Sequence, residues 1–183
     1  FTSLIEKNSQ LLMVLISDIL DLSKIESNTM EFNFCNISLH QVLNEIGSAQ
    51  RMNMQKGVEL LLDLPEQAIA IYTDPTRLNQ VINNLVNNAI KFTSEGNIRI
   101  GYRPAASSRV KIFVEDTGTG MAKEVIEHIF DRFYKGDAFK QGTGLGLAIC
   151  RTIVERFKGK IEVASTPGKG TRFTIILPLK VEE

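Results

Sequence analysis

The segment TRLNQVINNLVNNAIKF (76–92) places four asparagines, at 83, 84, 87 and 88, in what its periodicity predicts to be one helix. Each asparagine makes the free energy of helix formation about 0.5 kcal/mol less favourable than alanine does, so four of them in one helix require an explanation. At about 100° per residue, one apolar stripe is expected to face a core. Its members are Leu78, Val81, Ile82, Leu85, Val86 and Ala89.

The opposite side of this helix groups Gln80, Asn84, Asn88 and Lys91 within an arc of about 80°. One interpretation is an ordinary solvated face. The other is a set of neutral oxygen donors for a metal that arrives already bound to an anion. Amide ligands suit Mg²⁺ on a triphosphate because they add no further negative charge, and Lys91 would offer a point charge to phosphate oxygens.

Two glycine-rich segments could also touch a ligand. RVKIFVED (109–116) predicts a strand that ends at Asp116, followed by TGTGM. A carboxylate there can accept a hydrogen bond from an exocyclic amine such as that of adenine, or it can cap an Asx-type turn. In GTGLGLAIC (142–150), glycines at a helix start suit either a tight connection or backbone N–H groups that bind a phosphate.

Two other phosphate motifs are excluded. A dinucleotide-binding G-x-G-x-x-G would need glycine at Leu147, and GKGT (168–171) lacks the first glycine of a P-loop.

The elements that must position these residues are predicted from periodicity. Helices are expected at 3–26, from Ser38 to about 56, at 76–92 with Asp74 as N-cap and Pro75 as first residue, and from about 143 to 157. Strands are expected in MEFNFCNIS, VELLLDLP, NIRIGYR, RVKIFVED, KIEVAST and TRFTIILPL. A loop-rich insert at 121–141 should hold one short helix, KEVIEHIFDRF. Helices that alternate with strands predict an α/β (α+β) two-layer sandwich.

Composition narrows the function classes. The 183 residues carry no net charge and have a pI near 7.0. The chain therefore has no overall electrostatic field that would favour binding to nucleic acid or to an anionic membrane. The aliphatic run LLMVLI (11–16) is far shorter than the roughly 20 residues of a bilayer span. Cys35 and Cys150 are isolated, which fits a reducing cytoplasm. The chain begins at Phe1 without an initiator methionine, and we expect it to be a piece of a longer protein.

Taken together and in order, the motifs resemble the ATP-binding domain of sensor histidine kinases. The wider relatives are the gyrase, Hsp90 and MutL ATPases. NNLVNNAIKF (83–92) resembles the N box, DTGTG (116–120) the first glycine box, IFDRFYK (129–135) the F box and GTGLGL (142–147) the second glycine box. LLMVLISDILDLSKIE (11–26) resembles the second helix of the dimerisation and phosphotransfer hairpin. The resemblance implies a Bergerat-type fold over 29–183, a mixed sheet with helices on one face, and a helical stem over 1–28.

The resemblance also implies roles for single residues. Asn84 would be the chief protein ligand of Mg²⁺, and Asn88 and Lys91 would lie at the phosphates of ATP. Phe92, Asp116 and Thr171 would contact the adenine end. The remaining ATP-binding candidates are Gly118, Gly120, Arg132, Tyr134, Lys135, Gly142, Thr143, Gly144, Leu145 and Gly146. Two positions depart from the family pattern: Gln141 stands where glycine or serine is common, and Thr119 where an aliphatic residue is common.

The implied activity is transfer of the γ-phosphoryl group of Mg-ATP to a histidine and then to a response-regulator aspartate. Related ATPases have a water-activating glutamate at the position of Asn84, and an amide cannot take that proton. The family's H box is not present. His40 and His128 lie in unrelated contexts, and we expect both to be structural. The chain is therefore expected to bind ATP without phosphorylating itself.

Two alternatives stay open at this stage. One is a gyrase- or Hsp90-like ATPase that drives a conformational cycle. The other is a non-catalytic nucleotide-sensing or docking module that uses the stem with Ile129, Phe130 and Phe133. Under the kinase interpretation the domain is cytoplasmic, the full-length protein is membrane-anchored, and the apolar stem pairs with a second copy to form a homodimer.

Overall fold

The computed structural model describes residues 2–136 and 142–180. The helices are α1 (Thr2–Glu26), α2 (Leu39–Arg51), α3 (Pro75–Phe92), α4 (Lys123–His128) and α5 (Gly146–Arg156). The strands are β1 (Cys35–Ser38), β2 (Val58–Asp63), β3 (Ala70–Thr73), β4 (Gly96–Ala105), β5 (Arg109–Asp116), β6 (Lys160–Thr166) and β7 (Gly170–Pro178).

The main sheet has five strands in the order β2-β4-β5-β7-β6, and β1 and β3 form a separate antiparallel pair. Strand β2 runs parallel to β4, whereas the other neighbours in the main sheet are antiparallel. Register sets one face of the sheet: Ile100 lies opposite Val114, and Val114 lies opposite Phe173. The same alternation continues to the strand end, where Asp116 lies between Ile98 and Thr171. The sheet is therefore mixed, and its inner face runs directly into the candidate site.

Three helices, α2, α3 and α5, cover that inner face. Every member of the predicted apolar stripe of α3 is buried. Asp74 caps this helix, since its Oδ1 accepts a hydrogen bond from the Arg77 backbone N–H at 3.0 Å, and Pro75 is the first residue. These observations confirm the two-layer sandwich with helices on one face.

Several element boundaries differ from the predictions. Strand β3 was missed because four residues, AIYT, are too few for periodicity to register. Strand β1 is shorter than MEFNFCNIS, because Phe32 and Phe34 pack edge-on against Phe157 instead of extending the ladder. Helix α2 ends at Arg51 rather than near 56.

The insert and the glycine run also form less helix than predicted. Helix α4 stops at His128, and Phe133 takes a left-handed φ of 62°, which a continuing helix does not allow. Helix α5 begins at Gly146 rather than near 143, since Gly144 has a φ of 74°. Residues 142–144 therefore lie in a loop, and Leu145 is the N-cap of α5, since its carbonyl oxygen accepts from the Ile149 N–H at 3.0 Å.

The stem, α1, packs against the domain with its C-terminal half. It contacts α5, and Leu22 and Ile25 join the core. Its other side exposes large apolar side chains: Ile5, Leu12, Met13, Ile16, Ile19 and Leu20. Across residues 2–136 and 142–180, helix length and apolar character nowhere reach what a membrane crossing requires.

Candidate functional site

A cavity of about 540 Å³ lies between α3, α1, the chain from Asp116 to Gly136, and the segment 142–147. Most of the predicted site residues line it. The exceptions are Gly118, Arg132 and Leu145. The structure thus brings the Asn-rich helix, both glycine boxes and part of the F box around one hollow.

The four asparagines of α3 differ in what they contact. Asn83 and Asn87 accept hydrogen bonds from the Gln50 Nε2 of α2, at 2.8 and 3.3 Å. Asn84, Asn87 and Asn88 line the cavity. Asn83 therefore joins two helices, Asn84 and Asn88 face the cavity, and Asn87 takes part in both.

The amide of Asn84 is oriented by its neighbours on α5. Its Nδ2 lies 3.5 Å from the Gly146 carbonyl oxygen and 3.6 Å from the Cys150 Sγ. Since a carbonyl can only accept, the nitrogen side of the amide is turned toward α5, and the oxygen is left to the cavity. Burial raises the pKa of the Cys150 thiol to about 12, so the thiol stays neutral beneath the site.

Lys91 lies one turn beyond Asn88, at the mouth of the glycine segment. Its Nζ would be 3.1 Å from a Cβ at Gly142, so any larger side chain at 142 would crowd the ammonium group. The same Nζ lies 5.0 Å from the centre of the Phe92 ring. A cation on α3 and bare backbone from the loop thus meet at one wall of the cavity.

The glycine segment is held by backbone and hydroxyl contacts. Gly144 accepts a hydrogen bond from the Phe133 N–H at 2.8 Å, and a Cβ at Gly144 would lie 2.8 Å from the Phe133 backbone. Thr143 Oγ1 accepts from the Leu145 N–H at 3.1 Å. The Leu145 side chain is fully buried and serves as an anchor, so a direct ligand contact from that side chain is excluded.

Asp116 forms the turn at the strand end and also lines the cavity. Its Oδ1 accepts from the Gly118 N–H at 2.8 Å, the bond of an Asx-type turn. Burial raises the pKa of this carboxyl group, while the backbone N–H groups of Gly118 and Thr171 oppose the rise. Gly118 itself only permits close packing, since a Cβ there would lie 2.3 Å from the Phe92 carbonyl oxygen.

The F box contributes unevenly. Tyr134 and Lys135 line the cavity. Arg132 instead forms an ion pair with Glu26 at the end of α1, outside the cavity. This residue joins the stem to the insert.

Other predicted positions are placed as follows. Thr119 lines the cavity, as does Asp116, and Gln141 lies outside the described residues. His40 bonds through Nδ1 to the Tyr102 hydroxyl at 2.5 Å, and the exposed His128 pairs with Asp131 at 2.8 Å. Both histidines have structural partners.

Sequence reasoning missed one wall of the cavity, which α1 supplies through Leu11, Val14 and Asp18. Asp18 is only 8% exposed and accepts a hydrogen bond from the Thr143 hydroxyl at 2.7 Å. The available signal was an acidic residue inside an apolar helical run.

Within the described residues, no group of three or more His, Cys, Asp or Glu side chains could hold a metal ion. The donor set at the cavity is instead the Asn84 amide oxygen with room for an anionic ligand. That chemistry suits Mg²⁺ brought in by phosphates, because the ion takes oxygen ligands and keeps part of its shell from a bound polyphosphate.

Comparison with known proteins gives a consistent result. Residues 73–181 match the family model described as histidine kinase-, DNA gyrase B-, and HSP90-like ATPase. The sensor histidine kinase RcsC of Escherichia coli (strain K12) is 40% identical over 179 residues, which is 94% of this chain and 19% of RcsC. The sensor histidine kinase YclK of Bacillus subtilis (strain 168) is 34% identical, over 99% of this chain and 39% of YclK. The chain thus spans well under half of these relatives.

Solved structures agree with the fold. Full-length ShkA in complex with AMPPNP superposes with a TM-score of 0.88 at 27% identity, covering 99% of this chain and 38% of ShkA. The catalytic domain of the histidine kinase ThkA gives a TM-score of 0.71 at 30% identity, covering 82% of this chain and 97% of that domain. Because the matched family model spans more than half of the chain, this protein belongs to the histidine kinase-, DNA gyrase B- and HSP90-like ATPase family, as an ATP-binding catalytic domain of the sensor histidine kinase type.

Proposed function

We propose that this chain binds Mg-ATP in the cavity and donates its γ-phosphoryl group to a histidine of a two-component sensor kinase. The observation that carries the proposal is the meeting of Asn84, Lys91 and the 142–146 segment around one hollow, with Asp116 at another part of its wall. Full-length ShkA, a structural neighbour, was solved with AMPPNP, an ATP analogue, and this supports ATP as the ligand here.

The proposed roles are those that the family resemblance implies, and the placement of these residues around the cavity supports them. The Asn84 oxygen would be the protein ligand of Mg²⁺, which neutralises phosphate charge. Asn88, Lys91 and the backbone of Gly142, Thr143, Gly144 and Gly146 would hold the phosphates. Phe92, Asp116, Gly120 and Thr171 would form the adenine end, and Tyr134 and Lys135 would close over the nucleotide. Since the 116–136 stretch and the 142–146 segment flank the cavity, their closure would exclude water.

In the reaction, an imidazole nitrogen forms the new bond to the γ-phosphorus as the bond from that phosphorus to the β–γ bridging oxygen breaks. ADP leaves with the bridging oxygen. The chain contributes positioning and charge stabilisation, because the neutral amide of Asn84 cannot accept a proton from water. A response-regulator aspartate would receive the phosphoryl group next.

The proposed organisation is a hairpin helix at 1–28 followed by an ATP-binding domain at 29–183. The acceptor histidine would lie on the first helix of the same hairpin, outside this sequence. We place the domain in the cytoplasm, where ATP and receiver domains are available, within a full-length protein that is membrane-anchored and dimeric through the stem.

Calorimetric titration with ATP, with and without Mg²⁺, tests the binding step. We expect saturable binding that Mg²⁺ strengthens, and loss of that Mg²⁺ effect in Asn84→Ala. Asn83→Ala is the matched control, because its amide faces Gln50 and lies off the cavity wall. No saturable binding by the wild-type chain would leave only a docking module.

Incubation with γ-labelled ATP tests the transfer step. We expect acid-labile label on an added hairpin that carries the family's acceptor histidine, and none on His40 or His128. Label on either of those two residues would contradict the assignment of the acceptor to another segment. Steady hydrolysis of ATP by the chain alone would favour the ATPase cycle instead.

A further inference from the structure

The stem does more than extend from the domain, because its side chains form part of the cavity wall. Leu11, Val14 and Asp18 follow one another on the face of α1 that looks into the hollow. Val14 is half exposed, whereas Asp18 is 8% exposed and lies next to the glycine segment. A buried carboxylate beside a phosphate cradle requires an explanation, since burial of a charge is costly unless the group is paired.

The partner of Asp18 is Thr143. The Thr143 hydroxyl donates to Asp18 Oδ2 at 2.7 Å and at the same time accepts from the Leu145 N–H at 3.1 Å. A hydroxyl has one proton, so donation to Asp18 fixes its rotation and leaves a lone pair for Leu145. Helix α5 begins at Gly146, one residue after Leu145. The Gly146 carbonyl oxygen is one of the groups that orient the Asn84 amide.

Other bonds hold α1 where this contact can form. Arg77 Nη1 lies 3.1 Å from Asp21 Oδ1, and Gln80 Nε2 donates to Asp21 Oδ2 at 2.6 Å. Arg132 pairs with Glu26 near the end of the stem. Asp18 is therefore part of a series of polar contacts between α1 and the domain, and it is the member of that series that reaches the loop.

We propose that Asp18 is a positioning residue for the glycine segment, so that nucleotide affinity depends on the docked stem. This rests on the proposed function, because the segment matters only if it holds phosphates. Asp18 acts through Thr143, whose fixed hydroxyl holds the Leu145 N–H and with it the path of the loop into α5. A stem that swung away would release this loop and weaken the site.

A second effect of Asp18 would change nucleotide affinity in the opposite direction. The Asp18 charge lies on the wall of a cavity proposed to take a triphosphate, and like charges in a partly buried site repel. If repulsion dominated, removal of the charge would tighten binding. Asparagine separates the two effects, since it keeps an oxygen that accepts from Thr143 and loses the charge.

Calorimetric titration of the whole chain with Mg-ATP decides between them. We expect Asp18→Ala to bind about tenfold more weakly, as for loss of a hydrogen bond to a charged group, and Asp18→Asn to stay within about threefold of wild type. In a Thr143→Val background, Asp18→Ala should add almost nothing, because its partner is already gone. Ser17→Ala, exposed on the adjacent position of α1, is the control for changes to the stem that do not reach the loop.

Three results would overturn the inference. Unchanged or tighter binding by Asp18→Ala would show that positioning is not its role, and full additivity with Thr143→Val would show that the two residues act separately. Thermal unfolding of each variant shows whether it folds. If an Asp18 variant fails to fold, Thr143→Val and Thr143→Ser replace it in the titration: the serine variant should bind Mg-ATP like wild type, and the valine variant should bind more weakly. Failure of the wild-type chain to bind ATP would refute the proposed function and this inference with it.

Discussion

Asp116 shows how one residue serves the fold and the site together. The end of β5 carries it onto the inner face of the sheet, where burial raises the pKa of its carboxyl group. The Gly118 N–H donates a hydrogen bond to Oδ1 of Asp116, which fixes the orientation of this carboxylate at the cavity. Such an oriented acceptor can select a ligand that offers an amine at that point and reject one that offers a carbonyl.

Asp116→Asn should therefore weaken ATP binding by about 10- to 100-fold, since a charge-assisted hydrogen bond to the adenine amine contributes about 1.5–3 kcal/mol. Calorimetric titration measures this. The adjacent Glu115→Gln is the matched control, because Glu115 faces Arg99 and Arg172 on the other side of the sheet. Equal losses in the two variants would assign the effect to the strand and not to the carboxylate in the cavity.

The Asp18 carboxyl group leads to a prediction about pH. Burial raises its pKa above 3.8; the Thr143 hydrogen bond opposes the rise, and the charge of Asp21 adds to it. A carboxyl group with a raised pKa in the folded state favours folding while it is protonated, and that contribution is lost as pH rises through the folded-state pKa. Arg77 is paired with Asp21, the neighbour whose charge helps to raise this pKa.

Asp18→Asn removes this dependence. The variant should be more stable than wild type near neutral pH, and the difference should shrink as pH falls toward 3.8. Urea unfolding at a series of pH values checks the sign. A difference that grew on acidification would mean that the ionised carboxylate stabilises the fold.

At the scale of elements, α3 was the part best predicted from sequence. A 3.6-residue period places both its buried stripe and its polar face, and Asp74 with Pro75 marks its start. The same reasoning could not divide the asparagines, because the role of Asn83 depends on Gln50 of α2, 33 residues away. It likewise could not show that Leu145 is an anchor or that Arg132 turns to Glu26, since both depend on tertiary packing.

The loop before α5 gives a paired prediction. Gly144→Ala needs a left-handed φ of 74° and puts a Cβ 2.8 Å from the Phe133 backbone, so it should displace the loop. Gly146→Ala needs no such φ, and its Cβ would lie 3.7 Å from the Asn84 amide.

We expect Gly144→Ala to lower ATP affinity at least tenfold while it changes the melting temperature little, because Gly144 lies in a loop before α5, outside the sheet and the helices that cover it. Gly146→Ala should bind within a few-fold of wild type. Titration and thermal unfolding of both variants provide the check. Equal effects of the two substitutions would show that backbone conformation at 144 is not the controlling factor.

For the molecule as a whole, the order of the motifs predicted the family and the sandwich, because those motifs are local and each occupies a single loop or helix. The placement of the stem was not predictable in the same way. Its contacts with Arg77, Arg132 and Thr143 join residues 56 to 125 positions apart, and no pattern in α1 alone encodes them. The stem was expected only to pair with another helix, and it also lines the cavity.

Pairing of the stem remains a prediction, and it concerns the face that points away from the domain. Ile5, Leu12, Ile16 and Ile19 recur at spacings close to those of a coiled-coil seam, and all four are exposed. Exposed apolar surface of this kind favours association with another helix. Light scattering over a range of concentrations should show self-association of the wild-type chain.

Ile16→Glu should abolish that association, since a charge in an apolar seam must be desolvated to pair. It should leave ATP affinity unchanged, because Ile16 does not line the cavity. Met52→Glu is the matched control, as Met52 is 89% exposed and lies just after α2, outside the stem. Association that persisted in Ile16→Glu but vanished in Met52→Glu would move the interface off the stem. Because the face of α1 that carries Asp18 is distinct from this seam, the stem could pair with a partner helix and hold the glycine segment at the same time.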